Sequence, residues 1–244
     1  MEIPKEIAKE SPLGSAVVAA IHSGDVAHLE RLLADNPGLA TARLVDAKGV
    51  RRTLLHTVAD WPGHFPNGAA TVAVLIAAGA DPDAAVMGGN APETALHGAA
   101  SSDDVAVLDA LLDGGADIEA PGAIFTGGSA MSDAVIFANY RCARRLLGRG
   151  ARTTLSQSAA LGLLDRVEKF CAGSPTPDEI TTSFWHACRG GQRNTAEFLL
   201  GCGTDLNWVG YDRLTPLGAA RKSGNQEFID WLRGQGAKSR EELD

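Results

Sequence analysis

Aromatic residues are scarce, and their scarcity limits the kind of core that this chain can form. Only 5% of the 244 residues are Phe, Trp or Tyr, although hydrophobic residues together make up 45%. The core must therefore consist largely of Ala, Leu, Val and Ile, and such small side chains suit closely packed helices. The length allows one large domain or two ordinary ones.

Long apolar runs and basic runs are also missing. No stretch of about 20 apolar residues occurs, so we expect no membrane-spanning helix. The formal net charge is −8, and no Lys/Arg run is longer than the pairs Arg51-Arg52 and Arg144-Arg145. Nucleic acids and anionic membranes usually bind a basic face, so we expect neither as a partner.

The four cysteines lack the spacing of a zinc site or a CxxC redox motif. We therefore expect reduced thiols and neither a metal nor a cofactor. Residues 1–15 do not have the charged and then apolar segments of a signal peptide, which indicates a cytoplasmic protein. Arg outnumbers Lys, and Ala and Gly are abundant, which is typical of a GC-rich bacterial coding sequence.

A sequence motif recurs along the chain: Thr-x-Leu-His/Gly, small residues, an amphipathic run and then Gly-Ala. The best copies begin at Thr53, Thr94 and Thr215. The endings of these copies are Gly79-Ala80-Asp81, Gly115-Ala116-Asp117 and Gly236-Ala237. The wording resembles the T-P-L-H-x-A-A and G-A-D of the ankyrin-repeat family. When the chain is aligned on these copies, weaker copies of the motif are found at Ser15, Ser129, Leu155 and Ser183.

The resemblance implies an all-α fold, an ankyrin-repeat α-solenoid of about seven helix–turn–helix repeats with short β-hairpin-like fingers. The pattern supports this independently, because Val105, Leu108 and Leu111 have helical spacing and Gly-Ala-Asp can end a helix. One such unit cannot bury its apolar face alone, so the units must stack. We expect one repeat domain over 13–238, an N-terminal extension over 1–12 and a charged tail over 239–244.

The second repeat carries an insertion, residues 60–68, between its two helices. Pro62 predicts that the first helix ends near Trp61. Loops on a rigid scaffold are where binding concentrates, so Asp60 and Trp61 are candidate contact residues. A tolerated surface insertion is the alternative. Enlarged Gly-rich fingers are expected around 87–92 and 121–128.

The resemblance also implies which residues face the concave groove. The position after the family histidine holds Asp133, Gln157 and His186, and Arg189 follows three residues after His186, with Trp185 adjacent. A solvated groove, a peptide contact and a small-molecule or catalytic site are all open for this set. Trp208 and Tyr211, on the last finger, are candidate anchors, unless Trp208 packs against the neighbouring finger.

The histidines His56 and His97 occupy the family histidine, which implies a local hydrogen bond that fixes the turn. His56, Asp60 and His64 have the spacing of a helical metal site, but the break at Pro62 argues against one. No catalytic motif is present. The leading interpretation is a binding module for a protein or peptide, contacted through groove and fingers. The alternative is a small-molecule-binding protein or an enzyme with a pocket around Asp133, Gln157, His186 and Arg189.

Overall fold

Helix pairs repeat along the whole described chain. The computed structural model describes residues 5–243, and fourteen α-helices lie in this part. They follow one another as seven helix–turn–helix pairs, which confirms the predicted number of repeats. The helices are α1 Pro12–Ser23, α2 Val26–Asp35, α3 Leu54–Ala59, α4 Gly68–Ala77, α5 Ala95–Ser101, α6 Val105–Asp113, α7 Ala130–Ile136, α8 Tyr140–Gly148, α9 Leu155–Leu161, α10 Leu164–Ala172, α11 Pro177–Arg189, α12 Arg193–Gly201, α13 Pro216–Arg221 and α14 Gln226–Gly234.

Hydroxyl side chains begin most of the first helices. Thr53 and Thr94 form capping boxes in which the partner three residues later is a histidine, His56 or His97. A capping box satisfies backbone N–H groups that have no partner inside the helix. Helix α11 begins at Pro177, where Thr176 caps it, upstream of the Ser183 copy of the repeated motif.

The fingers contain a small three-stranded sheet near the N-terminus. Its strands are β1 Glu6–Ala8, β2 Arg43–Val45 and β3 Arg51–Thr53. Strand β2 is central: it pairs with β1 in parallel, Ile7 opposite Leu44, and with β3 in antiparallel fashion. Part of the predicted N-terminal extension is therefore an ordered strand. A single bridge from Arg51 to Met87 connects this finger to the next.

The chain divides into two compact units, the first ending at Ala151 and the second beginning at Arg152. The core of each unit is made mainly of aliphatic and small side chains, as the low aromatic content predicts. Fully buried core residues of the first unit include Leu54, Leu75, Leu96, Leu108, Leu111 and Met131. Those of the second include Phe184, Cys188, Leu199, Leu217, Phe228 and Leu232.

Within residues 5–243, none of the helices combines the length and the apolar character that a bilayer requires.

Candidate functional site

The insertion of the second repeat is fixed to the repeat that follows it. Helix α3 ends at Ala59, so the break that Pro62 predicts occurs one residue before Asp60. The His64 backbone N–H donates to Asp104 Oδ2 at 2.8 Å, and its ring Nε2 lies 3.0 Å from the Ser102 carbonyl oxygen. Asp104 is itself buried at the start of α6, where its other oxygen accepts from the Val107 N–H.

The same insertion is fixed to the repeat that precedes it. The Asn67 side-chain amide donates to the Gly24 carbonyl at 2.9 Å, and Phe65 stacks on His22 with ring centroids 4.2 Å apart. Gly24 has a left-handed conformation, φ 68°, and a Cβ there would collide with the Pro66 carbonyl. The insertion therefore has a fixed position between two neighbours.

Trp61 is exposed near the start of this insertion, with 82% of its surface accessible. It lies at a pocket of about 350 Å³ in the first unit. The charged and large apolar side chains of the lining include Arg52, Asp60, Trp61, Glu93, Ile124 and Phe137. Gly98 also lines the pocket, and a Cβ at this position would lie 2.9 Å from the Ala59 carbonyl oxygen.

The pocket is rimmed by exposed apolar groups. Phe137 and Ile124 are 43% and 40% exposed. Phe125 contacts Phe137 with ring centroids 5.9 Å apart and is itself 67% exposed. Sequence reasoning missed Phe125, Phe137, Ile124 and Glu93. Because aromatics are so few in this chain, two phenylalanines near a Gly-rich finger were a signal that could have been used.

The charged groups of the pocket are mostly acidic. Asp60 is exposed, and its Oδ1 accepts only from the adjacent Trp61 N–H, at 3.1 Å. The Glu93 carboxyl makes no hydrogen bond or ion pair within residues 5–243, and burial raises its pKa, opposed by the positive charge of Arg52. Arg52 is paired with Asp46 outside the pocket, at 3.4 Å.

His56 also lines the pocket, but both of its ring nitrogens are used. Nδ1 accepts from the Thr53 N–H at 3.3 Å, and Nε2 is 3.0 Å from the Glu93 carbonyl oxygen. Burial lowers its pKa to about 4, so the ring is neutral at physiological pH. His97 makes the equivalent contacts with Thr94 and the Gly128 carbonyl. The predicted local role of both histidines is confirmed.

A metal site of His56, Asp60 and His64 does not form, because His56 is already bonded and His64 contacts the next repeat. More widely, no group of three His, Cys, Asp or Glu side chains in the described part of the chain has the arrangement of a metal site.

Asp133 is fully buried in α7, although the sequence placed it on the open groove. Neither carboxylate oxygen has a hydrogen-bond partner in residues 5–243. Burial first, and then the charge of Glu93, raise its pKa to about 7, while the backbone N–H of Ile124 acts weakly in the opposite direction. Two of the pocket residues, Glu93 and Ile124, therefore influence the Asp133 carboxyl group, which is itself inaccessible from the surface.

The other predicted groove residues belong to the second unit, and two of them serve its scaffold. Gln157 is buried, and its Oε1 accepts from the Thr154 N–H at 2.9 Å as part of the cap of α9. His186 is 6% exposed, its Nδ1 has no hydrogen-bond partner in residues 5–243, and burial lowers its pKa to about 4. Neither side chain presents an open polar surface.

An aromatic cluster surrounds His186. Trp185 is buried and donates from Nε1 to the Leu214 carbonyl at 2.9 Å. Tyr211 lies with its ring centroid 5.3 Å from Trp185, 5.5 Å from His186 and 6.1 Å from Trp208. Trp208 is partly buried against the core of the second unit. Only Tyr211 of this cluster is well exposed, at 53%.

Arg189 borders the same cluster. Its guanidinium carbon lies 5.9 Å from the centre of the Trp185 ring, and Nη1 is 3.3 Å from Asp212 Oδ2. The structure thus brings Trp185, His186, Arg189 and Tyr211 together within the second unit. Asp133 belongs to the first unit.

Seven helix pairs, two of them begun by a Thr–His cap, together with short fingers have the architecture of an ankyrin-type helical repeat. The family model for the ankyrin repeat matches residues 93–123, so this segment is an ankyrin repeat. The crystal structure of the human ASB11 ankyrin repeat domain is similar, with 20% identity, a TM-score of 0.52 and coverage of 91% of this chain and 98% of that one.

The ankyrin repeat domain of Bcl-3, described as a unique member of the IkappaB protein family, is similar as well. It has 23% identity and a TM-score of 0.51, and the match covers 93% of this chain and all of that one. No curated protein sequence matches the chain. These likenesses confirm the ankyrin-repeat fold that the repeated motif predicts.

Proposed function

We propose that this protein is a binding module that recognises a segment of a partner protein through the pocket of its first unit. Ankyrin repeat domains are generally protein-interaction modules. The observation that carries the proposal is that two exposed aromatic side chains, Trp61 and Phe137, line one pocket of about 350 Å³. Exposed tryptophan that can be buried on binding is the residue type most often found at interaction hot spots.

The fixed insertion supports this proposal on energetic grounds. Association costs free energy when loops and side chains become ordered. Here His64 and Asn67 already hold the insertion on both sides before any partner binds. Less ordering is therefore needed on binding, and more of the contact energy contributes to affinity.

The second unit offers a smaller additional contact. Tyr211, on the last finger, and Arg189, at the end of α11, remain partly accessible, whereas Gln157, Trp185 and His186 are buried. We propose that Tyr211 is an accessory anchor, and that the buried three support the repeats. A cytosolic setting belongs to the proposal, because all four cysteines are free thiols.

Selection from a displayed random peptide library tests the proposal. The bait is the full chain, and the comparison bait carries Trp61→Ala and Phe137→Ala. We expect the wild-type chain to enrich related peptides whose affinity falls about tenfold or more for the double variant.

The matched control removes an exposed aromatic elsewhere: Phe170→Ala, on α10, where the side chain is 41% exposed. This variant should bind the selected peptides as the wild type does. Enrichment of no related peptides, or equal binding by the double variant, would overturn the proposal.

A small-molecule ligand is the second candidate, and the pocket size favours it. A volume of about 350 Å³ lies at the lower end of the range of roughly 300–1,000 Å³ that is common for small-molecule pockets. A thermal-shift screen against metabolites tests this, because a ligand that binds only the folded form raises the melting temperature. Shifts that disappear with Trp61→Ala would favour this candidate over a protein partner.

A further inference from the structure

Two carboxyl groups that line the pocket, Asp60 and Glu93, form no ion pair with any of the described residues. Glu93 is half-buried and makes no ion pair in the described residues, and Asp60 accepts one backbone N–H and is otherwise open. The positive charge of Arg52 partly offsets the negative charge in the pocket, but Arg52 already forms an ion pair with Asp46. Asp133 is fully buried, and the charge of Glu93 contributes to raising the pKa of its carboxyl group.

Two aromatic side chains line the same pocket as these carboxyl groups. One is Trp61, and the other is Phe137, whose ring contacts the ring of Phe125. The face of an aromatic ring attracts a cation through its quadrupole, and Trp does so most strongly. Aromatic faces together with unpaired carboxylates are the surroundings that a bound organic cation requires.

The same groups disfavour other occupants. An anion would meet Asp60 and Glu93, and a purely apolar side chain would dehydrate the Glu93 carboxyl group without giving it a partner. A guanidinium group is planar, stacks on aromatic rings and has five N–H donors, enough for two carboxylates at once. The ammonium of lysine is more strongly hydrated and lacks the flat face.

We propose that the pocket of the first unit binds the guanidinium group of an arginine side chain from a basic segment of the partner protein. Trp61 and Phe137 contact the flat faces of the group, and Glu93 and Asp60 accept its hydrogen bonds. This inference rests on the proposed protein-binding function and specifies which side chain enters the pocket.

Two synthetic peptide libraries with the same random flanks test the inference. One has arginine at the central position and the other has citrulline, which keeps the shape and removes the charge. Binding to the full chain is measured by titration calorimetry, and the Trp61 indole resonance, assigned with Trp61→Phe, reports whether the pocket is occupied. We expect the arginine library to bind about tenfold more tightly than the citrulline library.

Charge variants of the protein provide the second comparison. Glu93→Gln should remove most of the preference for arginine over citrulline. Glu197→Gln removes the same charge from the exposed face of α12 in the second unit and should keep the preference. Thermal melting shows whether the Glu93→Gln protein still folds. If it does not fold, the exposed Asp60 is changed instead, as Asp60→Asn.

The possible outcomes separate this inference from the proposed function. If selected peptides bind through Trp61 but arginine and citrulline bind equally, the protein-binding function stands and the arginine inference is wrong. A third library, with lysine at the central position, is a further comparison, and binding equal to that of the arginine library would also overturn the inference, since the site would then recognise charge alone. If neither library moves the Trp61 resonance, the inference fails, and the peptide selection decides the function independently.

Discussion

Two buried polar residues of the first unit, His56 and Asp133, differ in whether their polar atoms have hydrogen-bond partners. His56 has partners on both ring nitrogens, and burial holds it in the neutral form that these contacts need. Asp133 is equally hidden but has no hydrogen-bond partner in residues 5–243, so its charged form is costly and its pKa rises to about 7. A buried carboxylate without partners destabilises the folded state whenever it is ionised.

Replacing Asp133 with Asn should therefore stabilise the protein near neutral pH and above. The folded-state pKa is about 7 and the ordinary value is 3.8, so the folded state binds more protons between these values. The wild-type free energy of unfolding thus loses a contribution as pH rises from about 4 to about 7. We expect Asp133→Asn to be more stable by about 1–3 kcal/mol at about pH 8, with the gain shrinking towards pH 4.

Urea denaturation at several pH values measures this difference. Asp165→Asn, at an exposed position of α10, is the control and should show a difference that does not follow the same pH course. A constant effect of Asp133→Asn from pH 4 to 8 would contradict the explanation.

Among the elements, the insertion of the second repeat depends on the helices beside it. Asp104 accepts two backbone hydrogen bonds: one from the Val107 N–H, which caps α6, and one from the His64 N–H of the insertion. Asp25 has only the capping role, since it caps α2 through the His28 N–H and is exposed. The two aspartates therefore form a matched pair that separates capping from anchoring.

Asp104→Ala should loosen the insertion as well as destabilise the fold. Loss of the cap and of the buried acceptor should cost about 2 kcal/mol in the free energy of unfolding. Hydrogen exchange of the backbone amides in residues 61–68 should become faster. Asp25→Ala should lower stability by a smaller amount and leave exchange in the insertion unchanged. Equal exchange of these amides in both variants would show that Asp104 does not hold the insertion in place.

For the whole molecule, the net charge of −8 sets the long-range attraction for a basic partner. Opposite charges increase the association rate at low ionic strength, and added salt screens this attraction. Dissociation depends more on the short-range contacts in the pocket.

The association rate of an arginine-containing peptide should therefore fall by about tenfold between low and high salt, with a much smaller change in the dissociation rate. Surface plasmon resonance with the full chain over a salt series measures both rates. The citrulline peptide should show a weaker salt dependence. If the association rate of the arginine peptide does not respond to salt, the charge of the molecule does not contribute to recognition.

The sequence by itself determined the helix pairs, because their signals act between residues close together in the chain. Thr53 and His56 are three residues apart, and their capping contact is the same one that Thr94 and His97 make. The end of α3 before Pro62 followed from the local restriction that proline imposes. Such short-range interactions can be read directly from spacing.

The tertiary structure alone decided which side chains reach the surface together. Asp133 and His186 occupy the register position expected for the groove, yet neighbouring repeats bury both. The pocket joins Asp60 and Trp61 with Glu93 and Phe137, which are far away in the chain, and the strand over residues 6–8 pairs with residues 43–45. Contacts of this kind depend on how successive repeats stack, and local spacing does not encode that packing.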